Sequence, residues 1–370
     1  MVERGSSGKW IYDLDYANRT NYIIKSIGAA NWAIAANNFQ ATKEQPFRFA
    51  TTWRWQDETC PVHEATLSKF CQTASKLNLT RFLIVGDSLS SEFFFSLRSL
   101  LGYPPSPREA SFNGRYKPLS IPCNVDKGDA TSQKQESSFT ITFWLYRRSP
   151  VNDWVYLQNE ADSNDSNGTL LANAYRNFVQ DNDKGTAIIG NMGGWMPSMN
   201  DHIVCFQAFL NWIDSFPDTS NIITFFRPTI PGHQDCMPFG NDTTELANCN
   251  WSHPILQEPH PSYDSYFSGL SQPGPARFSY DWNIFEKFNQ YSKHVLENRT
   301  LQELSPSSSG EVEAKKKPRT IHWLNIFNSS VLRRDGHIGF NDCLHYYLPG
   351  PTDTWVHFFY SNLEDLANNN

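Results

Sequence analysis

The stretch that decides the fold class is Arg81-Phe-Leu-Ile-Val-Gly-Asp-Ser-Leu-Ser90. Its first half, residues 81–85, is apolar and β-branched, which is typical of a strand buried on both faces of a parallel sheet. Residues 86–88, Gly-Asp-Ser, predict a turn, and the apolar residues of 89–101 recur at helical spacing. A strand, a turn and a helix in this order form the first unit of an α/β fold.

The rest of the chain continues this alternation. The predicted strands are 139–146, 186–189, 221–226 and 320–326, and the predicted helices are 167–179, 201–216 and 282–298. Two stretches rich in small, polar or charged residues, 103–136 and 305–318, are predicted to be linkers or surface loops. We expect an α/β fold with a mostly parallel sheet and helices on both faces.

The composition excludes several classes of protein. Only 39% of the 370 residues are apolar, but 14% are aromatic, and aromatic side chains bury enough area to build a core. A chain that is disordered throughout is therefore not expected. The net charge of −7 and the absence of a long basic stripe argue against a nucleic-acid partner. The sequence has no apolar run of about 18 residues, the length that a membrane-spanning helix needs.

The cysteines and the glycosylation sequons bear on the cellular compartment. None of the seven cysteines forms a CxxC pair, so they fit either disulfides of a secretory protein or buried thiols. Sequons occur at Asn18, Asn78, Asn164, Asn167, Asn241, Asn250, Asn298 and Asn328, and this number favours the secretory pathway. The first 22 residues lack the apolar segment of a signal peptide. Either the protein is cytosolic, or a targeting segment is missing from this chain.

Ser88 is the first candidate for chemistry. A serine at the start of a helix that follows a buried strand lies where backbone N–H groups and the helix dipole favour negative charge. This position suits a nucleophilic oxygen or the oxyanion that forms after its attack. The alternative is helix capping, because Asp and Ser are common N-caps where a strand becomes a helix.

The second candidate is the segment Asp342-Cys-Leu-His345. Residues three apart lie on one face of a helical turn, so Asp342 could orient the imidazole of His345 while its other nitrogen takes the proton of Ser88. The alternative is a surface Asp–His pair. A serine near the first strand and Asp-x-x-His near the chain end is a recurrent order in α/β hydrolases and acyltransferases, the SGNH or GDSL pattern.

Seven short blocks follow the order of one known family. They are Gly8-Lys-Trp10-Ile-Tyr-Asp13, Trp53-Arg-Trp-Gln56 with Cys60, Gly86-Asp-Ser88-Leu-Ser90, Asn191-Met-Gly193-Gly-Trp195, Arg227-Pro-Thr-Ile-Pro231-Gly-His233, Arg334-Asp-Gly-His337, and Asp342-Cys-Leu-His345 with Leu348-Pro-Gly350 and Asp353-Thr-Trp355. With these blocks the chain resembles the PC-esterase group of SGNH-like proteins, and within it the plant trichome birefringence-like family of polysaccharide O-acetyltransferases. Thr352 and Tyr347 depart from the pattern, where the family has a proline and often a second cysteine, so its disulfide scheme is not transferred.

The resemblance implies a fold and a catalytic triad. It implies an SGNH-hydrolase-like three-layer fold, with an aromatic N-terminal flanking region, residues 1–80, packed on a catalytic domain, residues 81–370. It also implies Ser88 as the nucleophile, His345 as the general base and acid, and Asp342 as the carboxylate that orients His345.

Further residues are candidates for the oxyanion hole and for substrate binding. The backbone N–H of Ser88 and the side chain of Asn191 are the expected oxyanion donors, although Asn191 could equally be a turn residue before Gly193. The candidates for substrate binding are Asp87, Arg227, Trp195 and His233. Arg227 and His233 could instead tie loops together. Trp53, Trp55, Trp195 and Trp355 are either sugar platforms or core residues.

The expected function is transfer of an acetyl group, through an acyl-serine intermediate, onto hydroxyls of a cell-wall or other glycan. One alternative is an acetylesterase that hydrolyses such esters, and another is a non-catalytic glycan-binding protein. The expected partners are a glycan acceptor and an acetyl donor that acts as co-substrate, with no bound cofactor, no metal and no nucleic acid. We expect the Golgi lumen or the secretory pathway as the location, with membrane attachment only through an upstream signal anchor that is absent from this chain.

Overall fold

The computed structural model describes eleven segments of the chain: residues 8–20, 49–57, 60–105, 118–127, 135–147, 178–179, 184–194, 196–233, 282–304, 318–339 and 342–369. The predicted helix 167–179, apart from its last two residues, and most of the predicted loop 305–318 lie outside the described residues.

The described elements alternate between strands and helices. The strands are β1 (Lys9–Tyr12), β2 (Trp53–Gln56), β3 (Leu79–Gly86), β4 (Leu119–Lys127), β5 (Gln135–Arg147), β6 (Gly185–Gly190), β7 (Ile222–Phe226), β8 (Ile321–Trp323), β9 (His337–Gly339) and β10 (Asp342–Tyr346). The helices are α1 (Leu14–Thr20), α2 (Leu67–Lys76), α3 (Ser88–Leu100), α4 (Met199–Ser215), α5 (Trp282–Leu304), α6 (Phe327–Ser330) and α7 (Pro351–Asn369). None of these helices combines the length and the apolar character that crossing a bilayer requires.

The central sheet has six strands in the order β4-β5-β3-β6-β7-β8. Strands β5, β3, β6, β7 and β8 run parallel to their neighbours, and only β4 is antiparallel, to β5. This arrangement confirms the predicted α/β fold with a mostly parallel sheet. Because the strands are parallel, their carboxyl ends share one edge of the sheet, where ligand sites of such folds lie.

Strand β3 is buried on both faces, as its continuous apolar run predicts. Phe82 and Ile84 contribute to a core that also contains residues of α2, α3 and α7. Leu83 and Val85 contribute to a second core with residues of α4 and α5. Alternate residues of one strand therefore enter opposite cores, and the fold has three layers.

The prediction of a loop over 103–136 is wrong for residues 119–127, which form the edge strand β4. Ile121 and Cys123 are buried and alternate with exposed residues, the pattern of a strand with one face on the core. Pro122 between them is exposed, which an edge strand tolerates because the proline nitrogen needs no partner. A disulfide between Cys71 and Cys123 links β4 to helix α2. The predicted strand 320–326 is also shorter than expected, since only 321–323 are extended.

The described N-terminal elements pack on the C-terminal part of the chain. The Trp10 and Trp55 rings of the β1–β2 pair meet edge to face with centroids 5.4 Å apart, and Trp55 lies 6.4 Å from Phe358 of α7. Trp10 Nε1 donates to Ser329 O at 3.0 Å, and the Arg333 guanidinium lies 4.1 Å from the Trp10 ring centroid. The boundary that we predict at residue 80 stays a prediction.

Candidate active site

Three predicted site residues follow three neighbouring parallel strands. Ser88 follows β3, Asn191 follows β6 and Arg227 follows β7. Backbone hydrogen bonds continue the sheet at this edge, from Asn191 N to Val85 O (2.9 Å) and from Arg227 N to Gly190 O (2.8 Å). The residues therefore converge at the carboxyl edge of the sheet, where α/β folds bind their ligands.

Ser88 is the first residue of α3 and is only 3% exposed. Its hydroxyl oxygen lies 2.6 Å from His345 Nε2, a hydrogen-bond distance. In the described part of the chain the Ser88 N–H donates to no acceptor, as expected for the first turn of a helix. The hydroxyl thus has an imidazole beside it and lies at the positive end of the helix dipole.

His345 comes from β10, which pairs antiparallel with β9. The prediction that Asp342 and His345 share one face of a helical turn is wrong about the element, because residues 342–346 are extended. The register of β10 against β9 shifts between Asp342 and Tyr346, so the strict alternation of side chains in a regular strand does not apply between these two residues. The backbone of Asp342 begins β10, and its side chain lies outside the described part of the structure.

Asp87 holds the turn that precedes Ser88. It is the N-cap of α3, and its Oδ1 accepts from the backbone N–H of Leu89 at 3.0 Å. Its Oδ2 accepts from Gly194 N at 3.3 Å, and a Cβ on Gly194 would lie 2.8 Å from that oxygen. The capping role that the sequence leaves open for the Gly-Asp-Ser turn is therefore filled by Asp87.

Arg227 is fully buried and lies behind this turn. Its Nη2 donates to Ser90 Oγ at 3.0 Å and lies 3.6 Å from Asp87 Oδ1, while the guanidinium is 5.3 Å from the Trp355 ring centroid. Burial lowers the pKa of Arg227 to about 10, and the carboxylates of Asp87 and Glu92 act in the opposite direction. The guanidinium therefore remains charged at neutral pH.

The Asn191 side chain is 1% exposed. Its Nδ2 donates to Arg227 O at 3.0 Å, which leaves a second amide hydrogen. Among the described residues, no partner contacts Asn191 Oδ1. Gly193, two residues later, has φ +150°, and a Cβ there would lie 2.6 Å from Thr229 Cγ2. The glycine thus lets the backbone after Asn191 approach Thr229.

Of the other predicted residues, His233, Trp55 and Trp355 are buried, and Trp195 is not described. His233 is 1% exposed, and its two ring nitrogens lie 2.6 Å from His337 Nε2 and 2.8 Å from Val331 O. Trp195 lies outside the described residues. Trp55 and Trp355 are buried, so the core alternative is the correct one for these two side chains.

Two residues that sequence reasoning missed contact the segment that carries His345. Glu92 Oε1 accepts from Tyr346 N at 3.0 Å, and His337 Nδ1 lies 3.1 Å from His345 O. Both side chains are buried. A signal for Glu92 exists in the sequence, since it is a carboxylate among the apolar residues of 89–101. His337 belongs to the Arg334-Asp-Gly-His337 block, whose Asp-Gly-His sequence suggests a turn residue, whereas the structure places His337 at the start of β9.

Comparison with known proteins identifies the family. The family model of PC-esterases, described as a GDSL/SGNH-like acyl-esterase family found in Pmr5 and Cas1p, matches residues 75–362. The chain belongs to the PC-esterase family. The matched segment contains every element from β3 to β10, and with them both Ser88 and His345.

Three curated relatives that resemble this chain come from plants. The chain is 23% identical to trichome birefringence-like protein 39 of Arabidopsis thaliana, over 96% of this chain and 85% of the relative. It is 24% identical to trichome birefringence-like protein 13 of the same plant, over 98% and 84%. It is 22% identical to xyloglucan O-acetyltransferase 3 of Populus trichocarpa, over 98% and 85%.

Proposed function

We propose that the protein is an O-acetyltransferase that moves an acetyl group through an acyl-Ser88 intermediate onto a polysaccharide hydroxyl. The observation that carries the proposal is the distance of 2.6 Å between Ser88 Oγ and His345 Nε2 at the start of a helix. Membership of an acyl-esterase family supports the class of reaction. The relative named as a xyloglucan O-acetyltransferase supports a polysaccharide acceptor.

In the first half-reaction, Ser88 Oγ attacks the acetyl carbonyl of the donor. A serine hydroxyl is a weak nucleophile at neutral pH and needs an adjacent base, which here is His345. The hydroxyl proton moves to His345 Nε2, and the imidazolium then gives it to the leaving group of the donor. The Asp342 carboxylate is proposed to orient the imidazole, as the family resemblance implies.

The oxyanion of the tetrahedral intermediate needs donors that are already in place. We assign this role to the backbone N–H of Ser88 and to the second amide hydrogen of Asn191. The first is unused by the helix, and the second remains after the bond to Arg227 O. Asp87 and Arg227 are assigned to shaping the turn and the cleft, with Trp195 as a further proposed part of the substrate site and His233 as a buried support behind it.

In the second half-reaction, His345 removes the proton of an acceptor hydroxyl, which attacks the acetyl-Ser88 ester. The acetyl group leaves on the acceptor, and Ser88 regains its proton from His345. When the acceptor is water the same steps make the protein an acetylesterase, and the description of the family as acyl-esterases favours this as the second candidate.

The full chain incubated with an activated acetyl ester, with and without xyloglucan oligosaccharides, tests the proposal. Acetylated oligosaccharide supports the transferase, and free acetate alone indicates the esterase. No turnover, with the oligosaccharide retained, indicates a glycan-binding protein. Ser88→Ala is expected to abolish turnover, whereas Ser96→Ala on the same helix is expected to preserve it. Equal turnover by the Ser88→Ala protein contradicts the proposal.

We further propose the secretory pathway, and within it the Golgi lumen, as the location. The disulfide between Cys71 and Cys123 supports an oxidising compartment. The sequon residues Asn18, Asn78 and Asn298 are exposed, as glycan attachment requires. Treatment of the protein from its native cells with an N-glycosidase tests this, and an unchanged electrophoretic mobility contradicts it.

A further inference from the structure

The peptide group between His345 and Tyr346 is contacted on both sides by buried side chains. Its N–H donates to Glu92 Oε1 at 3.0 Å, and its carbonyl oxygen lies 3.1 Å from His337 Nδ1. We propose that Glu92 and His337 are positioning residues that fix this peptide group and thereby hold the His345 imidazole against Ser88. The inference rests on the proposed function, since it assigns the support of the same catalytic pair.

The pairing of β10 with β9 is short and irregular near this peptide group. Strand β9 has three residues and β10 has five, and their register shifts between the pairs Asp342–Gly339 and Tyr346–His337. An irregular pair of short strands leaves part of its backbone without regular ladder bonds. Tyr347 N donates to Gly336 O at 3.0 Å beside the His345–Tyr346 peptide, and the side chains of Glu92 and His337 add contacts from α3 and β9 to this pairing.

Glu92 connects the two halves of the catalytic pair through one rigid element. It lies four residues after Ser88 in α3, so the two side chains share one face of the helix. Ser88 contacts the His345 imidazole, and Glu92 contacts the peptide group that follows it. Both contacts start from α3, so the distance between hydroxyl and imidazole depends on the geometry of a single helix.

His337 is backed by a second imidazole. His233 Nε2 faces Val331 O, His233 Nδ1 faces His337 Nε2, and His337 Nδ1 faces His345 O. Carbonyl oxygens only accept, so the hydrogen bond to His345 O needs a proton on His337 Nδ1. The contact of 2.6 Å with His233 Nδ1 holds the other nitrogen of the His337 ring and so fixes the orientation of this imidazole.

Aromatic and backbone groups surround the His233 and His337 imidazoles. The Tyr346 ring stacks on His337 at 4.2 Å, and Cys343 O accepts from His233 N at 3.0 Å. The charged groups that act on Tyr346 are Arg333, Glu92 and Asp335. Glu92 thus contacts the N–H side of the same peptide group whose carbonyl oxygen faces His337.

Matched variants separate a positioning role from a merely structural one. Glu92→Leu removes the acceptor and Glu92→Gln keeps one. His337→Phe keeps a ring that can stack on Tyr346 and removes the donor, and His337→Asn keeps a donor near the position of Nδ1. Ser96→Ala, which removes the 2.5 Å contact of Ser96 Oγ with Asp353 on the same helix, is the control for a lost buried polar group.

The readout is the rate at which a fluorophosphonate probe labels Ser88 in the full chain. Ser88 Oγ forms a bond to phosphorus, fluoride leaves, and the hydroxyl proton goes to His345. Since misplacement by about 1 Å can cost 10²-fold, we expect Glu92→Leu and His337→Phe to label about 10- to 100-fold more slowly. The labelling rates of Glu92→Gln, His337→Asn and Ser96→Ala are expected to stay within about threefold of the wild-type rate. This change is small compared with the 10²-fold cost of misplacement.

The outcomes separate the two proposals. If the wild type is labelled at Ser88 and both apolar variants keep its rate, the positioning role is overturned while the proposed function stands. The role is equally overturned if Glu92→Gln and His337→Asn are labelled as slowly as Glu92→Leu and His337→Phe. Labelling of the wild type that does not depend on Ser88 overturns the proposed function and the positioning role with it. If the Glu92→Leu protein does not fold, the labelling rates of His337→Phe and His337→Asn decide whether the positioning role holds.

Discussion

His345 Nε2 lies 2.6 Å from Ser88 Oγ, although 257 positions separate the two residues in the chain. Ser88 is held by the first turn of α3, and His345 is held by a short strand near the chain end. Both side chains are buried to more than nine tenths. The contact therefore depends on the packing of the whole domain, and its two members should act as one chemical unit.

Single and double substitutions of this pair test whether it acts as a unit. Ser88→Ala and His345→Ala should each lower kcat by about 10³-fold or more, and the double variant should be no slower than either, because each loss disables the same step. The measurement is turnover of an activated acetyl ester by the three variants. Additive losses in the double variant would mean that the two residues act in separate steps.

Removal of the Asn191 amide tests the oxyanion assignment. Asn191→Ala should lower kcat by about 10²- to 10³-fold and leave KM nearly unchanged, because the lost donor acts only on the charge of the transition state. The same kinetic assay measures both constants. An increase in KM with kcat preserved would assign Asn191 to substrate binding instead.

The part of the fold that could be predicted from the sequence is the part with strong local patterns. The run 81–85 has no polar interruption except its first residue, and Gly86, Asp87 and Ser88 have the residue types of a turn and a helix start. Burial on both faces of β3 and the cap at Asp87 follow from these local features. Family blocks were needed to connect this segment with His345.

The part of the fold and of the site that the sequence does not predict depends on contacts between segments that are distant in the chain. Residues 119–127 form a strand because Ile121 and Cys123 pack in the core and Cys123 forms a disulfide with Cys71. No local feature of the sequence predicts Cys71 as the partner. Asp342 and His345 suggest a helical pair by spacing, but pairing with β9 makes the segment extended. Glu92 was overlooked for the same reason, since its partner Tyr346 is 254 positions away.

Arg227 is expected to stabilise the site as well as shape it. Arg227→Met removes the partner of Ser90 and leaves the buried Asp87 carboxylate without its nearest cation, 3.6 Å away. Breaking such a buried pair costs about 3–5 kcal/mol, and we expect a loss of this size in the free energy of unfolding by urea. Arg19→Met, in the exposed pair with Glu64, is the control, with an expected loss of about 0–1 kcal/mol. Equal losses in the two variants would contradict the argument.

The Cys71–Cys123 disulfide closes a loop with a sequence separation of 52 residues. In the chain-entropy relation a loop of this length stabilises the folded state by about 4 kcal/mol. The Cys71→Ala, Cys123→Ala variant should therefore unfold at a lower urea concentration than the wild type when both are measured without a reductant. Equal midpoints of the two proteins would show that this disulfide contributes little.

Acid should destabilise the junction between the N-terminal region and α7 through His357. His357 is buried, its Nδ1 accepts from Ala65 N at 3.2 Å, and its Nε2 lies 3.1 Å from Tyr16 Oη. Burial lowers the pKa of His357 to about 4 from a model-peptide value near 6.5, with a smaller opposing effect of Glu64. Between these two pKa values the unfolded chain binds a proton that the folded chain excludes, so stability is lost as the pH falls.

The size of this loss follows from the two pKa values. Between pH 7 and pH 5, His357 alone should remove about 2 kcal/mol from the free energy of unfolding. His202 and His322, whose pKa values burial also lowers to about 4, contribute in the same direction, so the wild-type slope is not specific to one residue. His357→Gln keeps a side-chain acceptor and removes the titration. Urea unfolding at both pH values should therefore show a loss smaller by about 2 kcal/mol in this variant than in the wild type. The same pH dependence in both proteins would mean that His357 is protonated in the folded state at pH 5.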